Sequence, residues 1–436
     1  MRQLSGQDAT FVFLEDPAVP LHLTPLYIYD PSTAPKGKVT HKQLLAHIES
    51  RLQSSKVFTQ KLQHVPMNMD FPYWVDDPDF DLEFHVRHIG LPKPGDWRQL
   101  CILLSRLHSR SLDMSRPPWE MYIIEGLDNV AGIPKGSFAV LSKYHHATID
   151  GASGTEIVSG LHDFSATPVK KKFESSRTLE APPSTLQMLL KATSNNVRLP
   201  FHLASVLTRS RPNLSWLPQR KEPEEKELER HKAPVPKTRF NQPVTPHRVF
   251  TGCEFDLADF KAIRKGVPGV TINDVVLAVC AGALRHYLLG KGELPEDPLL
   301  AAVPINTRTE EDQGLAGNMV SGMFVPLQTH IEDPVERLES IRELTAAEKT
   351  MEKAVSARRM TDINHHVPAA TLSMASRLVT ATGIMHRSKP AMNCVITNVP
   401  GPQQPMYKCG AKLLSMWGCG PVLDGVGLFV AAHSYN

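Results

Sequence analysis

Residues 145–151 read HHATIDG, and they directly follow the alternating segment 138–144, which reads FAVLSKY. Alternation with a period of two predicts a β-strand, which here ends in a histidine pair. Neighbouring side chains on a strand point to opposite faces, so one of His145 and His146 can face a cavity while the other faces the packed side. Gly151 supplies the backbone freedom that a tight exit needs. The stretch therefore predicts a titratable imidazole at a strand end.

The overall composition is typical of a globular protein. With 436 residues the chain has room for two or three domains, and its 41% hydrophobic and 21% charged residues are ordinary for a folded protein. A formal net charge of +3 gives no indication of a nucleic-acid partner. The six cysteines are scattered without a CxxC pair, which is typical of reduced, mostly buried thiols in a cytosolic protein.

No segment is predicted to cross a membrane. Residues 1–8 lack the apolar run of a secretion signal. The most apolar stretch, residues 275–289, contains Arg285 and His286 and is therefore predicted to be a buried helix. Any contact with a membrane is expected to be peripheral.

Composition divides the chain into three predicted regions. Residues 1–165 mix helical and strand patterns, including a predicted hairpin of strands 119–127 and 138–145. Residues 166–246 are rich in proline and in runs of charge, which indicates an inter-domain crossover. Residues 247–436 again mix strand and helix patterns. The class is therefore predicted to be α/β or α+β, with two halves of similar size.

The same patterns predict further elements. Helices are expected at 44–52, 98–108, 153–161, 257–265, 271–289 and 334–353. Strands are expected at 84–89, 249–255, 299–306, 319–327 and 393–399. Either Thr271 or Asn273 is expected to cap the helix 271–289.

Within the crossover, residues 186–211 form a basic amphipathic stretch, in which apolar residues alternate with Lys191, Arg198, Arg209 and Arg211. Such a stretch can lie on an anionic lipid surface. It can also form a helix pair that packs on a neighbouring domain, and this second interpretation is the one we favour.

Two chemistries fit HHATIDG poorly. A metal site would use His146 and Asp150, but a hydrolytic zinc site needs three protein ligands and no further ligand spacing is present. The second histidine pair, at residues 365–366, is not followed by an aspartate. A serine hydrolase needs a nucleophile on a GxSxG turn, whereas residues 151–154 read only GxSG and lie too near His146 to reach it. No metal is therefore expected.

A third chemistry needs no protein nucleophile. A neutral imidazole takes a proton from a hydroxyl or an amine, which then attacks an acyl thioester directly. Histidine suits this role because its pKa lies near neutrality. A bare histidine pair would more often belong to a packed core, but the complete HHxxxDG pattern at a strand end is far more specific.

HHxxxDG resembles the signature of the CoA-dependent acyltransferase superfamily, which includes chloramphenicol acetyltransferase and the condensation domains of peptide synthetases. Other segments narrow the resemblance to the bacterial wax ester synthase/diacylglycerol acyltransferase family. They are LSGQD at 4–8, PLHL at 20–23, LDMSRPPWE at 112–120, NDVVL at 273–277, VPINTR at 303–308, GN at 317–318 and TNVPGP at 397–402. Pro118 and Thr397 depart mildly from the family's usual Leu and Ser. The resemblance is highly specific because the segments keep their order along the chain.

The resemblance implies two chloramphenicol acetyltransferase-like domains with mixed sheets and an active-site channel at their interface. Residues 1–165 would form the domain that carries HHxxxDG, and residues 247–436 the C-terminal domain. Acyl-CoA would enter from one side, and a long-chain fatty alcohol or a diacylglycerol from the other. Acyl-CoA is thus expected as a substrate, and no resident cofactor is expected.

The resemblance also implies roles for the motif. His146 would be the general base that deprotonates the acceptor hydroxyl, whose oxygen then attacks the thioester without an acyl-enzyme. His145 would orient the turn or pack on the other face. Asp150 would be structural through a salt bridge with an arginine, for which Arg308 and Arg116 are both candidates.

Further roles follow from the resemblance outside the histidine pair. Gly151 would keep the mouth of the channel clear. Asn273 would bind substrate or join the domains, unless it only caps its helix, and Thr397 and Asn398 would help to polarise the oxyanion. The residues expected to be structural and to shape the acyl pocket are Pro117, Trp119 and Glu120.

The predicted function is that of a long-chain acyl-CoA:alcohol O-acyltransferase, which forms wax esters from fatty alcohols and triacylglycerol from diacylglycerol. The alternative is a condensation-type acyltransferase with a carrier-bound acyl group, which the absence of an adjacent carrier domain disfavours. A lipid-binding protein without activity is disfavoured because His146 and Asp150 are intact. Apolar products predict a cytoplasmic protein peripheral to the inner membrane or to lipid inclusions, with residues 186–211 as the candidate contact and the oligomeric state left open.

Overall fold

The computed structural model of the protein describes residues 2–52, 55–149, 157–167, 181–209, 234–306, 320–354, 369, 371–374, 378 and 389–435. Three residues of the predicted site, Asp150, Gly151 and Arg308, lie outside these ranges, as does the second histidine pair at 365–366. Their predicted roles stay predictions.

Helices and strands are mixed along the described chain. The helices are α1 (Gly6–Leu14), α2 (His41–Glu49), α3 (Leu82–His85), α4 (Trp97–His108), α5 (Thr185–Arg209), α6 (Leu257–Gly266), α7 (Ile272–Lys291) and α8 (Pro334–Ala354). The strands are β1 (Arg2–Gln3), β2 (His22–Asp30), β3 (Gln60–Gln63), β4 (Tyr73–Asp76), β5 (Val86–Gly90), β6 (Trp119–Glu125), β7 (Phe138–His145), β8 (Leu300–Asn306), β9 (Val320–Pro326), β10 (Cys394–Pro400), β11 (Tyr407–Lys408), β12 (Ala411–Cys419) and β13 (Phe429–Ser434).

These strands form three sheets. The largest has the order β11-β12-β2-β7-β6-β5 and is antiparallel except for the parallel pair β5 and β6. A second sheet has the order β13-β10-β8-β9, in which β10 is parallel to both neighbours. A small antiparallel sheet consists of β1, β4 and β3. The mixed sheets with their helices confirm the predicted α/β class, and the predicted hairpin is the antiparallel pair β6 and β7.

The strand β7, which carries the histidine pair, is buried along its whole length. On one face its Val140 belongs to a core that includes Ile48 of α2. On the other face its Leu141 belongs to a core that includes Leu104 of α4. Helices thus cover both faces of the sheet, and the end of β7 is held by packing from two sides.

The C-terminal part of the chain completes the largest sheet. Strand β12 pairs antiparallel with β2, so that Trp417 lies opposite Leu26 and Cys419 opposite Thr24. Strands β11 and β12 therefore lie beside strands of the first 165 residues. The largest sheet therefore contains strands from both sides of the predicted boundary at residue 247.

The two larger sheets approach each other where β12 meets β13, and a glycine makes this approach possible. A Cβ atom added to Gly418 would lie 2.5 Å from Nε2 of His433. Carbon and nitrogen atoms do not come this close without a bond, so the His433 ring can lie in this position against β12 only because residue 418 has no side chain.

A second core lies between α7 and the four-stranded sheet. Leu277, Ala281 and Leu288 of α7 share this core with Val303 of β8 and Ile396 of β10. Among the described residues, α7 is the one helix that is long and apolar enough to cross a membrane, a test that core helices also pass. The helix is buried on this one face only, because Tyr287 and Leu289 on its other side are 42% and 51% exposed, so the predicted buried helix is right in part.

Two predicted elements differ from the structure, and the described part of a third agrees with it. Residues 249–255 form no strand, and Val249 is 96% exposed, because alternation alone does not provide a neighbouring strand with which to pair. The predicted helix pair is wrong, since residues 185–209 form one continuous helix. Of the predicted helix 153–161, the described part is helical at 157–160.

Candidate active site

The histidine pair lies where β7 ends and a 3-10 turn, His146–Thr148, begins. The His145 amide donates a hydrogen bond to the Pro118 carbonyl (3.0 Å), and the His146 amide donates to the Leu21 carbonyl (2.9 Å). The backbone of each histidine is therefore hydrogen-bonded to a different neighbouring segment. These bonds fix the backbone positions from which the two rings project.

His145 is fully buried, and its side chain contacts the turn and Glu15, the residue that follows α1. Its Nδ1 accepts a hydrogen bond from the Ala147 amide (3.1 Å), and its carbonyl accepts one from the Thr148 hydroxyl (2.7 Å). Its Nε2 lies 3.3 Å from Oε2 of Glu15. These contacts suit the predicted orienting role.

His146 is half-buried, and its ring stacks on Phe11 of α1 with centroids 4.0 Å apart and an interplanar angle of 14°. Burial and the neighbouring His145 lower the pKa of His146 to about 4. The ring is therefore neutral at pH 7. Its Nδ1 has no hydrogen-bond partner among the described residues.

A layer of buried polar groups lies behind the histidine pair. His22, which pairs with His145 across the sheet, contacts the His108 carbonyl through Nε2 at 2.9 Å. His108 Nδ1 lies 2.7 Å from the Thr24 hydroxyl, and its Nε2 lies 3.3 Å from the Gly420 carbonyl. Burial lowers the pKa of His108 to about 4. Sequence reasoning missed this layer because its histidines are isolated in the chain and meet only across the sheet.

Trp119 and Glu120 lie in the interior, as a structural role requires. The Trp119 indole donates a hydrogen bond to the Phe58 carbonyl (2.9 Å). Glu120 accepts a hydrogen bond from the Tyr122 hydroxyl (2.6 Å) and lies 3.8 Å from Nζ of Lys143. Burial lowers the pKa of Lys143 to about 8.

Pro117, the third residue that was predicted to be structural, lies in a turn just before β6. Its carbonyl accepts a hydrogen bond from the Trp119 amide (2.8 Å). The following Pro118 carbonyl holds the His145 amide, as described above. This segment therefore positions the histidine pair through its backbone, and a contribution to an acyl pocket stays a prediction.

Two predicted residues from distant parts of the chain are brought together in the second half. The Asn398 amide of β10 donates to Oδ1 of Asn273 on α7 at 3.5 Å, the outer limit for a hydrogen bond. Asn273 does not cap α7, because Thr271 is the N-cap and its hydroxyl accepts from the Asp274 amide (3.3 Å). Of the two predicted caps, Thr271 is therefore right and Asn273 wrong.

Thr397 does not join this amide pair through its side chain. Successive side chains of β10 point to opposite faces, so Thr397 faces away from the side that carries Asn398 and the core residue Ile396. Among the described residues, no hydrogen bond, ion pair or ring contact joins Asn273 or Asn398 to the histidine pair.

Of the two arginines proposed as partners of Asp150, Arg116 lies within the described chain. Its guanidinium carbon lies 4.1 Å from the centre of the Phe84 ring, and its Nε lies 3.7 Å from Oδ2 of Asp113. The choice between Arg116 and Arg308 stays open.

The comparisons with known proteins agree with the motifs. Residues 4–276 match the model of the wax ester synthase/diacylglycerol acyltransferase catalytic domain, and residues 316–436 match the C-terminal domain of the same family. A Mycobacterium tuberculosis protein, provisionally named a diacylglycerol O-acyltransferase, is 33% identical over 100% of this chain and 84% of its own length. The O-acyltransferase WSD of Acinetobacter baylyi is 32% identical over 100% of this chain and 90% of its own length.

A solved structure extends the agreement to the fold. The wax ester synthase/diacylglycerol acyltransferase from Marinobacter aquaeolei VT8 is 27% identical, with a TM-score of 0.67 that covers 100% of this chain and 91% of that one. The predicted family and its mixed α/β architecture are thereby confirmed. The chain belongs to the wax ester synthase/diacylglycerol acyltransferase family.

Proposed function

We propose that this acyltransferase transfers a long-chain acyl group from acyl-CoA to the hydroxyl of a fatty alcohol or a diacylglycerol, with His146 as the general base. The observation that carries the proposal is the position of the His146 ring, which lies half-buried at the end of β7 and stacks on Phe11. Burial also lowers its pKa to about 4. Only a neutral imidazole can accept a proton, and at pH 7 this ring is neutral.

The reaction then needs no covalent enzyme intermediate. The hydroxyl proton passes to the His146 imidazole while the alcohol oxygen attacks the carbonyl carbon of the thioester. The tetrahedral intermediate collapses as the carbon–sulfur bond breaks, and the imidazolium gives its proton to the leaving thiolate. The products are an ester and free CoA. The amide pair of Asn273 and Asn398 is the proposed contribution of the second half of the chain to substrate binding.

Acceptor-dependent release of CoA tests this proposal. Palmitoyl-CoA is supplied with hexadecanol or dioleoylglycerol, and free thiol is measured for the wild type and for His146→Ala. General-base catalysis contributes about 10²- to 10⁴-fold, so the variant is expected to lose that much of kcat. His88→Ala, which removes an exposed histidine from the edge strand β5, is the matched control and should keep wild-type activity. Release of CoA without an acceptor, or at an undiminished rate in His146→Ala, contradicts the proposal.

A carrier-bound acyl donor is the alternative substrate. The same acyl group is therefore offered as a thioester of CoA and as a thioester of an acyl carrier protein. The proposal expects a higher kcat/KM for the CoA thioester. A strong preference for the carrier thioester would favour the condensation-type reaction instead.

We also propose that α5 attaches the protein to the lipid surface in which its apolar substrates reside. Met188 and Ala192 pack inside, in a cluster with Tyr73 of β4. Leu186 and Leu190, one helical turn apart, are 67% and 64% exposed, and they lie on the opposite side of the helix. A helix that is packed on one side and apolar on its outer side suits adsorption to a lipid interface.

Flotation with liposomes tests the proposed attachment. The variant carrying both Leu186→Ser and Leu190→Ser should float less with phosphatidylglycerol-containing vesicles and should turn over dioleoylglycerol in vesicles more slowly. Leu289→Ser, at a leucine of α7 that is 51% exposed, is the control and should float like the wild type. Equal flotation of all three proteins would exclude α5 as the attachment.

A further inference from the structure

Glu15 lies directly after α1, and its carboxylate reaches both segments that hold the histidine pair. The side chain is 12% exposed. Its Oε1 accepts a hydrogen bond from the Leu21 amide (3.2 Å), and its Oε2 lies 3.3 Å from Nε2 of His145. One carboxylate thus joins the chain before β2 to the end of β7.

The hydrogen bonds around His145 show which nitrogen carries its proton. Nδ1 accepts from the Ala147 amide, so in the neutral ring the proton is on Nε2. That nitrogen faces Oε2 of Glu15. The N–H does not point straight at the oxygen, so the contact is a close electrostatic one rather than a linear hydrogen bond. Two donors, the Leu21 amide and the His145 ring, therefore meet two carboxylate oxygens.

The same helix also contacts the second histidine. Phe11 lies four residues before Glu15, and its ring stacks on His146. The Leu21 carbonyl accepts from the His146 amide, while the Leu21 amide donates to Glu15. The end of α1 therefore constrains His146 in two ways, through the plane of its ring and through the backbone from which the ring projects.

We propose that Glu15 is a positioning residue for the transfer reaction, which acts through His145 and Leu21 to hold the His146 imidazole toward the acceptor hydroxyl. This inference rests on the proposed function of His146. A negative carboxylate fixes the Nε2–H tautomer of His145, and this in turn leaves Nδ1 free to accept from the turn that follows. Without the carboxylate, His145 can change its tautomer or its rotamer, and the turn that carries His146 loses its alignment.

Glu15→Gln separates this role from simple packing. Glutamine keeps the size of the side chain but offers one acceptor oxygen to two donors, and it turns an NH₂ group toward the other donor. We expect kcat to fall about 10- to 100-fold, while KM for palmitoyl-CoA and for hexadecanol changes less than threefold. Glu15→Asp, which keeps both oxygens on a shorter arm, should recover at least part of the loss.

A matched carboxylate elsewhere in the sheet serves as the control. Oε2 of Glu125 lies 3.1 Å from Nε2 of His88 at the end of the β5–β6 pair, and both side chains are exposed. Glu125→Gln therefore removes a similar glutamate–histidine contact away from the histidine pair. It should leave kcat unchanged.

Two further measurements decide whether Glu15 acts through His145. In a His145→Ala background, Glu15→Gln should lower kcat less than threefold, because most of its effect has already been removed. In protein labelled with ¹⁵N at the imidazoles, the His145 resonances, identified by their absence in His145→Ala, should shift from the pure Nε2–H tautomer in Glu15→Gln. When the wild type is active, three results would overturn the inference. They are an unchanged kcat in Glu15→Gln, an equally large fall in kcat when His145 is also replaced by alanine, and unchanged His145 resonances in Glu15→Gln. A wild type without acceptor-dependent CoA release would overturn the proposed function instead, and the resonances would still test the contact.

Discussion

The imidazole of His146 is stacked on the phenyl ring of Phe11, with centroids 4.0 Å apart and planes that differ by 14°. Phe11 packs against a small core that contains Ala147, the next residue of the histidine turn. The plane of the candidate base is therefore set by aromatic packing from α1. No hydrogen bond to Nδ1 from the described residues contributes to it.

Removing this stack is expected to change both the rate and its pH dependence. In Phe11→Ala the His146 ring can rotate more freely and is more exposed to water. We therefore expect kcat to fall about tenfold and the pKa of His146 to rise from about 4 toward the usual 6.5. Because the base works only when neutral, the acid limb of kcat/KM should move to higher pH. Profiles from pH 4 to 8 measure this shift. Phe13→Ala, in the same helix and the same core, is the control, and identical profiles for both variants would contradict the expectation.

The buried histidines predict that acid destabilises the fold. Burial lowers the pKa of His108 to about 4 and lowers the pKa values of His22 and His162, whereas the same rings titrate near 6.5 in the unfolded chain. The unfolded chain therefore binds more protons between pH 6.5 and 4. The free energy of unfolding should be highest above pH 6.5 and should fall as the pH decreases through this window.

Urea unfolding at pH 7 and pH 5 measures this loss. His108, whose pKa is about 4, is expected to contribute about 2 kcal/mol of destabilisation at pH 5. His108→Gln keeps an acceptor for the Thr24 hydroxyl and a donor for the Gly420 carbonyl, so it should fold and should reduce the pH dependence. If the free energy of unfolding depends on pH as strongly in this variant as in the wild type, His108 does not titrate as expected.

Local sequence patterns were sufficient to predict the elements with regular spacing. The hairpin of β6 and β7 and the helices α4 and α7 follow from period-two and helical patterns, and the structure places them within a few residues of the predicted bounds. These elements carry much of the core, which explains why the class could be predicted. The histidine pair was placed correctly at the end of β7 for the same reason.

What the sequence did not reveal depends on partners that are distant in the chain. Strand β2 contains Pro25, which cannot donate to a ladder and so argues against a central strand, yet β2 lies between β7 and β12. Its pairing with β12 joins residues almost 400 positions apart. Glu15 was missed likewise, because nothing around it indicates that its carboxylate reaches His145. Conversely, residues 249–255 alternate like a strand, but they have no partner strand and Val249 is exposed.

The buried Asp274 is expected to stabilise the second half of the protein. It accepts hydrogen bonds from the Thr271 amide (2.8 Å) and hydroxyl (2.7 Å), and from the Thr345 hydroxyl of α8 (2.7 Å). Asp274→Ala removes the capping hydrogen bonds at the start of α7 and the hydrogen bond from α8. The free energy of unfolding should therefore fall by about 3 kcal/mol. Asp256→Ala, at the exposed N-cap of α6, should lose only about 1 kcal/mol. Urea unfolding compares the two, and equal losses would mean that the buried link contributes nothing.

The approach of β12 to β13 predicts opposite effects for two glycine substitutions. In Gly418→Ala the new methyl would lie 2.5 Å from Nε2 of His433, so the buried His433 ring must shift and the free energy of unfolding should fall by about 1–3 kcal/mol. Gly290→Ala, near the end of α7, meets no atom within 4 Å and should instead raise stability by about 0.5–1 kcal/mol through the better helix propensity of alanine. Thermal unfolding of both variants measures the contrast. If Gly418→Ala also proves stabilising, the His433 ring does not lie as close to residue 418 as the structure places it.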